Sequence, residues 1–220
     1  MKHRNENTMN RANNISAGVS IAHETRENHG SPAPRTTYRI DPAASRIEFT
    51  IWKRRFFVTH RLVTGRFTEV QGTITLDERD PANSRAEATI GAASLTTGTD
   101  NPSWLQAMEV RQRDAHLRKA DFFDVARYPH LTFASQRIEA VDRAAGRYRV
   151  TGELTVRGVT REVILDATYV PATSDGPGRR IALTLTGPLN RRDFGMIWNR
   201  SYLVIADDLV VTIAVEASRS

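Results

Sequence analysis

Apolar residues recur at every second position over much of the chain, and that period restricts the fold more than any other feature. In RIEFTIWK, Ile47, Phe49 and Ile51 fall on one side, with Glu48, Thr50 and Trp52 on the other. GTITL alternates through Ile74 and Leu76, and AEATI through Ala86, Ala88 and Ile90. VTGELTV sets Val150, Leu154 and Val156 against Thr151, Glu153 and Thr155. VILDATY aligns Val163, Leu165, Ala167 and Tyr169; IALTLTG aligns Ile181, Leu183 and Leu185; LVVTIAV aligns Leu209, Val211, Ile213 and Val215. A period of two marks antiparallel strands with one buried and one wet face. With a weaker run near Leu131–Ile138, the pattern predicts roughly eight strands.

Turn signals separate the runs: LDERDPANS, VDRAAGR, VRGVTR and TSDGPG. VRGVT is short enough to be a hairpin. A long all-β chain with short connections becomes a sandwich or a closed barrel, and closure removes the exposed edges. Gly65, Gly72 and Gly152 lie inside strand-like runs, where glycine marks the bends that barrel corners require. The parity slips between Phe67 and Val70, which predicts a bulge.

One region breaks the β pattern. TDNPSWLQAMEVRQRDAHLRK reads as a helix, with Asn101 as N-cap and Pro102 at the first helical position. Trp104, Leu105, Met108 and Ala115 can share one broad apolar face. Arg111, Arg113, Arg118 and Lys119 lie towards the end, where cations suit the helix dipole. Asp121 is placed to cap a further turn carrying Phe122 and Phe123, and Pro129 holds Tyr128 extended.

This region also gathers Asp114, His116, Asp121 and Asp124. On a helix, Asp114 and His116 are two apart and do not share a face. Asp121 and Asp124 have the spacing of caps around a turn. The cluster therefore reads as scaffold rather than as a metal or catalytic site. No serine sits in a nucleophile elbow, and neither a phosphate loop nor a zinc-protease helix motif occurs. His60 and His130 are isolated, and His3, His23 and His29 match no ligand spacing. NRRDFGM, Asn190 to Met196, reads as a strand-ending turn whose arginines make ordinary ion pairs, with contact to a lipid phosphate as the alternative. The absence of cysteine excludes disulfides and thiolate chemistry. No catalytic residue, metal or cofactor is expected.

The net charge is +6, with basic residues scattered and not interleaved with aromatics as in single-strand binders. Solvated surface arginines account for this, so nucleic acid is not an expected partner. Residues 1–36 are rich in Asn, His, Arg and Ser and read as a disordered leader before a domain spanning 37–218. ISAGVSIA is too weakly apolar for the core of a signal peptide, which favours a cytoplasmic location. No apolar stretch approaches the roughly 20 residues of a membrane-spanning helix.

Five segments then carry a resemblance: YRIDPAASRIEFTI, GRFTEVQGTITLD, RDAHLRKADFFDVARYPHLTF, YRVTGELTVRGVTREVIL and LTLTGPLNRRDFGM. In this order they resemble the YceI-like proteins, the polyisoprenoid-binding, lipocalin-like proteins of bacteria. The resemblance runs from Tyr38 to Ala217. It implies an all-β, eight-stranded antiparallel lipocalin-like barrel with a helical insertion between strands, and a long apolar pocket for an isoprenoid or similar amphiphile. Export to the periplasm is common in the family. This chain departs from the pattern in FTIWKRRFFVTHRLVTG, a basic and aromatic segment where a histidine often follows the first strand, and in the added NPSWLQAMEV. Both bear on the mouth of the pocket.

An eight-stranded barrel is just wide enough to hold one small ligand, and the small inward residues Ala86, Ala88, Gly152 and Ala167 leave volume. The apolar pocket candidates are Phe49, Ile51, Phe67, Ile74, Leu76, Phe122, Phe123, Phe133, Leu154, Val156, Leu165, Ala167 and Leu183. The expected function is non-enzymatic binding, transport or sequestration of an isoprenoid, quinone-type or other amphiphilic lipid. Two alternatives stand beside it: a ligand-free stress or interaction protein with a filled barrel, and an enzyme acting on an apolar or amide substrate. An acid or base inside the barrel would favour the enzyme, whereas Glu48, Glu153 and Asp166 alternate outward. The expected partner is the lipid, and a homodimer is left open.

Overall fold

The computed structural model describes residues 35–55, 59–77, 79–98, 103–171, 179–199 and 203–220. The leader expected over residues 1–36 lies outside these almost entirely.

The strand segments are β1 (Arg35–Ile40), β2 (Arg46–Arg55), β3 (Thr59–Phe67), β4 (Val70–Asp77), β5 (Arg85–Gly91), β6 (Leu95–Thr96), β7 (His130–Asp142), β8 (Arg147–Val156), β9 (Val159–Val170), β10 (Arg180–Asn190) and β11 (Leu203–Arg219). One helix, α1 (Trp104–Leu117), interrupts them between β6 and β7. The hydrogen-bonded order is β1-β4-β5-β7-β8-β9-β10-β11-β2-β3-β6, and β1 also pairs with β11. That last pairing, Tyr38 opposite Arg219 and Ile40 opposite Ala217, closes the ring. Every neighbouring pair is antiparallel.

Eleven segments make eight walls, because three walls are broken. β1 and β2 lie end to end along the same edge of β11, with register partners Ala217 for Ile40 and Ala214 for Arg46. β3 and β4 are one wall broken at Thr68 and Glu69, whose backbone N–H groups both donate to Ser94 Oγ. Phe67 and Val70 are both buried across that break, so the slip in parity is real. β5 and β6 form the third broken wall. β3 showed no alternation in the sequence because the hairpin it makes with β2 carries apolar residues on both faces: Ile51 and Val63 inward, Trp52 and Leu62 outward.

The inward rows follow the period of two. Ile47, Ile74, Leu76, Ile90, Val150, Val156, Val163, Leu165, Ile181, Val211 and Val215 are buried. The weak run at β7 has a structural cause, since its register with β8 shifts between Ser135 and Arg137 and moves Ile138 onto the inward row. Opposite that bulge, Thr151 is buried, although simple alternation assigns it to the wet face.

The helix departs from expectation. Its N-cap is Ser103, which forms a capping box with Gln106; Asn101 and Pro102 lie outside the described residues. The apolar face is not buried: Trp104 is 71% exposed, Leu105 57% and Met108 51%, and Ala115 is exposed too. What anchors the helix is Asp114, which is buried and accepts hydrogen bonds from Thr97 N (3.0 Å), Thr97 Oγ1 (2.5 Å) and Thr96 Oγ1 (2.9 Å). Arg118 adds two bonds, to the carbonyls of Ala93 and Leu95. A polar anchor replaces the apolar stripe that helix patterning assumes.

Candidate functional site: the barrel cavity

The barrel is hollow. A cavity of about 940 Å³ runs through its interior, within the size range of small-molecule pockets. The inward rows account for its character. Phe49, Ile51, Phe133, Leu154, Leu183, Leu185, Leu189 and Ile213 face inward yet are only half-buried, because their inner sides meet open space. A filled barrel would bury them.

All thirteen residues expected to line an apolar pocket border this cavity: Phe49, Ile51, Phe67, Ile74, Leu76, Phe122, Phe123, Phe133, Leu154, Val156, Leu165, Ala167 and Leu183. Phe122 and Phe123 arrive from the segment after α1, and Phe123 meets Phe67 edge to face with centroids 5.5 Å apart. Other residues also border it without having been expected to, among them Met196, Trp198, Val63 and Leu117. Val63 lay in the unrecognised β3, and Met196 and Trp198 lie outside any alternating run.

The Asp/His cluster separates into different tasks. Asp114 holds the helix, as above. His116 borders the cavity, with Nε2 3.1 Å from Asp121 Oδ2. Its ring lies edge to face on Phe122 (5.0 Å) and on Trp198 (4.7 Å). Asp121 is thus a histidine partner rather than the expected cap. Asp124 takes a left-handed conformation (φ 48°), and its carbonyl accepts from Arg127 N and Tyr128 N. No three of His, Asp or Glu converge on a metal-sized site among the described residues.

Polar groups meet the cavity chiefly near its ends. The hairpin end carries Lys53, Arg61, Glu109, Gln112 and Arg113; the opposite end carries Ser84 and Arg85. Arg113 donates through Nε to Thr97 Oγ1 (2.6 Å) and through Nη2 to the Thr97 carbonyl (3.0 Å). Arg191, from NRRDFGM, is buried and donates to the carbonyls of Ala206, Met196 and Ile205 and to Asp207 Oδ1 (2.8 Å). Burial draws its pKa down and the Asp207 carboxylate opposes that. Arg192 meets the same carboxylate at 2.9 Å, so both arginines of the motif make the expected ion pair. Glu153 and Asp166 are exposed, as alternation requires. Glu48 departs in part: it is half-buried, pairs with Arg46 at 3.8 Å and also touches the edge of the cavity.

Comparison with known proteins agrees with this architecture. The model of the YceI-like domain matches residues 38–217. Protein YceI of Escherichia coli O157:H7 is 31% identical over 151 residues, covering 68% of this chain and 71% of the relative. Among solved structures, Burkholderia cenocepacia BcnA superposes with a TM-score of 0.63 at 21% identity, covering 80% of this chain and 98% of that one. A polyisoprenoid binding domain from Saccharophagus degradans, implicated in plant cell wall breakdown, gives 0.57 at 21% identity, covering 84% and 99%. With the closed barrel, the inserted helix and a family match over nearly all the described residues, the chain belongs to the YceI-like family.

Proposed function

We propose that the barrel binds a polyisoprenoid or quinone-type lipid, one chain per molecule, and carries or sequesters it without covalent chemistry. The observation that carries this reading is the cavity of about 940 Å³ walled by inward aliphatic and aromatic side chains. Such a wall takes up a chain-like apolar ligand, each buried methylene contributing roughly 0.8 kcal/mol before ordering costs. The related fold of a domain described as polyisoprenoid binding supports the same ligand class. The hollow interior speaks against a filled barrel. The enzyme reading draws less support from the described residues: Arg191 is engaged by three carbonyls and Asp207, Glu48 lies 3.8 Å from Arg46, and His116 pairs with Asp121. Native mass spectrometry of gently purified protein tests the proposal. A co-purified or added polyprenol or quinone bound at one per chain supports it, and a protein that takes up neither refutes it.

A further inference from the structure

Large apolar side chains exposed to solvent gather at one end of the barrel. Trp52 (54% exposed) and Leu62 (52%) are direct cross-strand partners on the outer face of the β2–β3 hairpin. Trp104, Leu105 and Met108 on α1, and Ile197 beside it, are exposed at the same end. Four other large apolar residues are exposed among the described residues, Val141 and Val170 at the opposite end and Ile164 and Val210 along the walls, and no two of them are neighbours in chain or register.

The same hairpin is basic. From Lys53 to Thr68 the chain holds Lys53, Arg54, Arg55, His60, Arg61 and Arg66 and no acidic residue. Register sets Lys53 opposite Arg61 and Arg54 opposite His60. Lys53 and Arg61 also border the cavity at this end, together with Glu109 and Gln112 of α1. Cationic side chains beside exposed tryptophan and leucine have the composition of an interfacial anchor: the apolar groups enter the headgroup boundary, and the cations meet anionic lipid.

We propose that this end of the barrel docks on the surface of an anionic lipid bilayer, through the β2–β3 hairpin and the exposed face of α1. Docking sets the end of the cavity bordered by Lys53 and Arg61 against the membrane, the phase in which an apolar chain is dissolved; its use for loading rests on the lipid-binding reading above. The docking itself does not.

The test is sedimentation of the full chain with vesicles of phosphatidylcholine alone and of equal parts phosphatidylcholine and phosphatidylglycerol. Binding is expected to the mixed vesicles only, and to weaken with salt. Trp52→Ser with Leu62→Ser should weaken it at least tenfold. Lys53→Gln with Arg61→Gln should weaken it roughly fivefold for each charge. Arg137→Gln with Arg149→Gln, towards the opposite end, should change it less than about twofold and controls for net charge. Absence of binding, equal binding to both vesicles, or equal effects of the two charge pairs would overturn the proposal. So would a dimer that dissociates on Trp52→Ser with Leu62→Ser while vesicles are ignored, which would make a second copy the occupant. Geranylgeraniol binding without vesicles is measured on the same proteins. If it persists while vesicle binding fails, only docking falls; if it is absent while hairpin-dependent vesicle binding holds, only the cavity reading falls.

Discussion

The ring of Phe49 lies over Gly65, its direct cross-strand partner, so closely that a β-carbon on Gly65 would collide with the ring edge. Phe133 lies over Gly152 in the same way, with a β-carbon there falling 2.6 Å from its Cζ. Each glycine seats an aromatic ring that borders the cavity, so the placement of cavity aromatics depends on missing side chains in the neighbouring strand.

Gly65→Ala should therefore push Phe49 into the cavity, where there is room. Loss of stability should stay near 1 kcal/mol while isoprenoid binding falls. Gly72→Ala offers the contrast, because its β-carbon would meet the backbone carbonyl of Glu87, which cannot swing away. That variant should lose about 3 kcal/mol, the upper range for overpacking. Urea denaturation of the two proteins checks the difference, and equal losses would contradict the hollow interior beside Phe49.

Asp114→Ala removes the acceptor for Thr96 and Thr97 from a buried site. Hydrogen bonds to a charged group contribute about 1.5–3 kcal/mol, and stranded buried partners add to the loss. A fall of about 3 kcal/mol is expected, with hydrogen exchange accelerated first in α1. Trp104→Ser, on the exposed face of the same helix, should shift stability by less than about 0.5 kcal/mol.

Arg191→Lys keeps a positive charge but loses the planar fork that reaches three carbonyls and Asp207 at once. Breaking a buried pair costs about 3–5 kcal/mol when one partner is removed, and the lysine should recover little of it. Thermal unfolding that matches the parent protein would show that the turn is held by other contacts.

Acid should loosen the β7–β8 turn only below the ordinary carboxylate range. Asp142 accepts a backbone bond from Ala145 N and a side-chain bond from Arg147, and these, in that order, hold its pKa below the ordinary 3.8. A carboxylate with a lowered folded-state pKa contributes stability that is complete above the unfolded value and is lost as pH falls through the folded one. Amide protection at the turn should hold above about pH 4 and fall below it, and Asp142→Asn should remove the pH dependence.

Much of the fold was legible because a barrel wall imposes a period of two on its residues. Leu165, Leu183 and Val211 could be assigned to the interior from spacing alone, and the parity slip between Phe67 and Val70 located a true break. Strand β3 was not legible, since the hairpin it makes with β2 is apolar on both faces, Ile51 and Val63 inward and Trp52 and Leu62 outward. Helix α1 was found, but its buried side was misassigned: patterning assumes that Trp104, Leu105 and Met108 seek the core, whereas Asp114 fixes the helix and leaves them outside. The thirteen cavity-lining residues followed from alternation and from the resemblance. The pairing of His116 with Asp121 across five positions had no signal in spacing.

The most direct measurement is lipid binding by Ala167→Phe. Ala167 is buried beside Tyr148 and Val150 and borders the cavity, so a ring there should take up ligand volume. Titration with ubiquinone and geranylgeraniol, followed by native mass spectrometry, should show one lipid per chain in the parent protein and at least tenfold weaker binding in the variant. The melting temperature should fall by no more than a few degrees. Undiminished binding would contradict a ligand seated in the barrel, and a collapse in stability would show that the interior beside Ala167 is already packed.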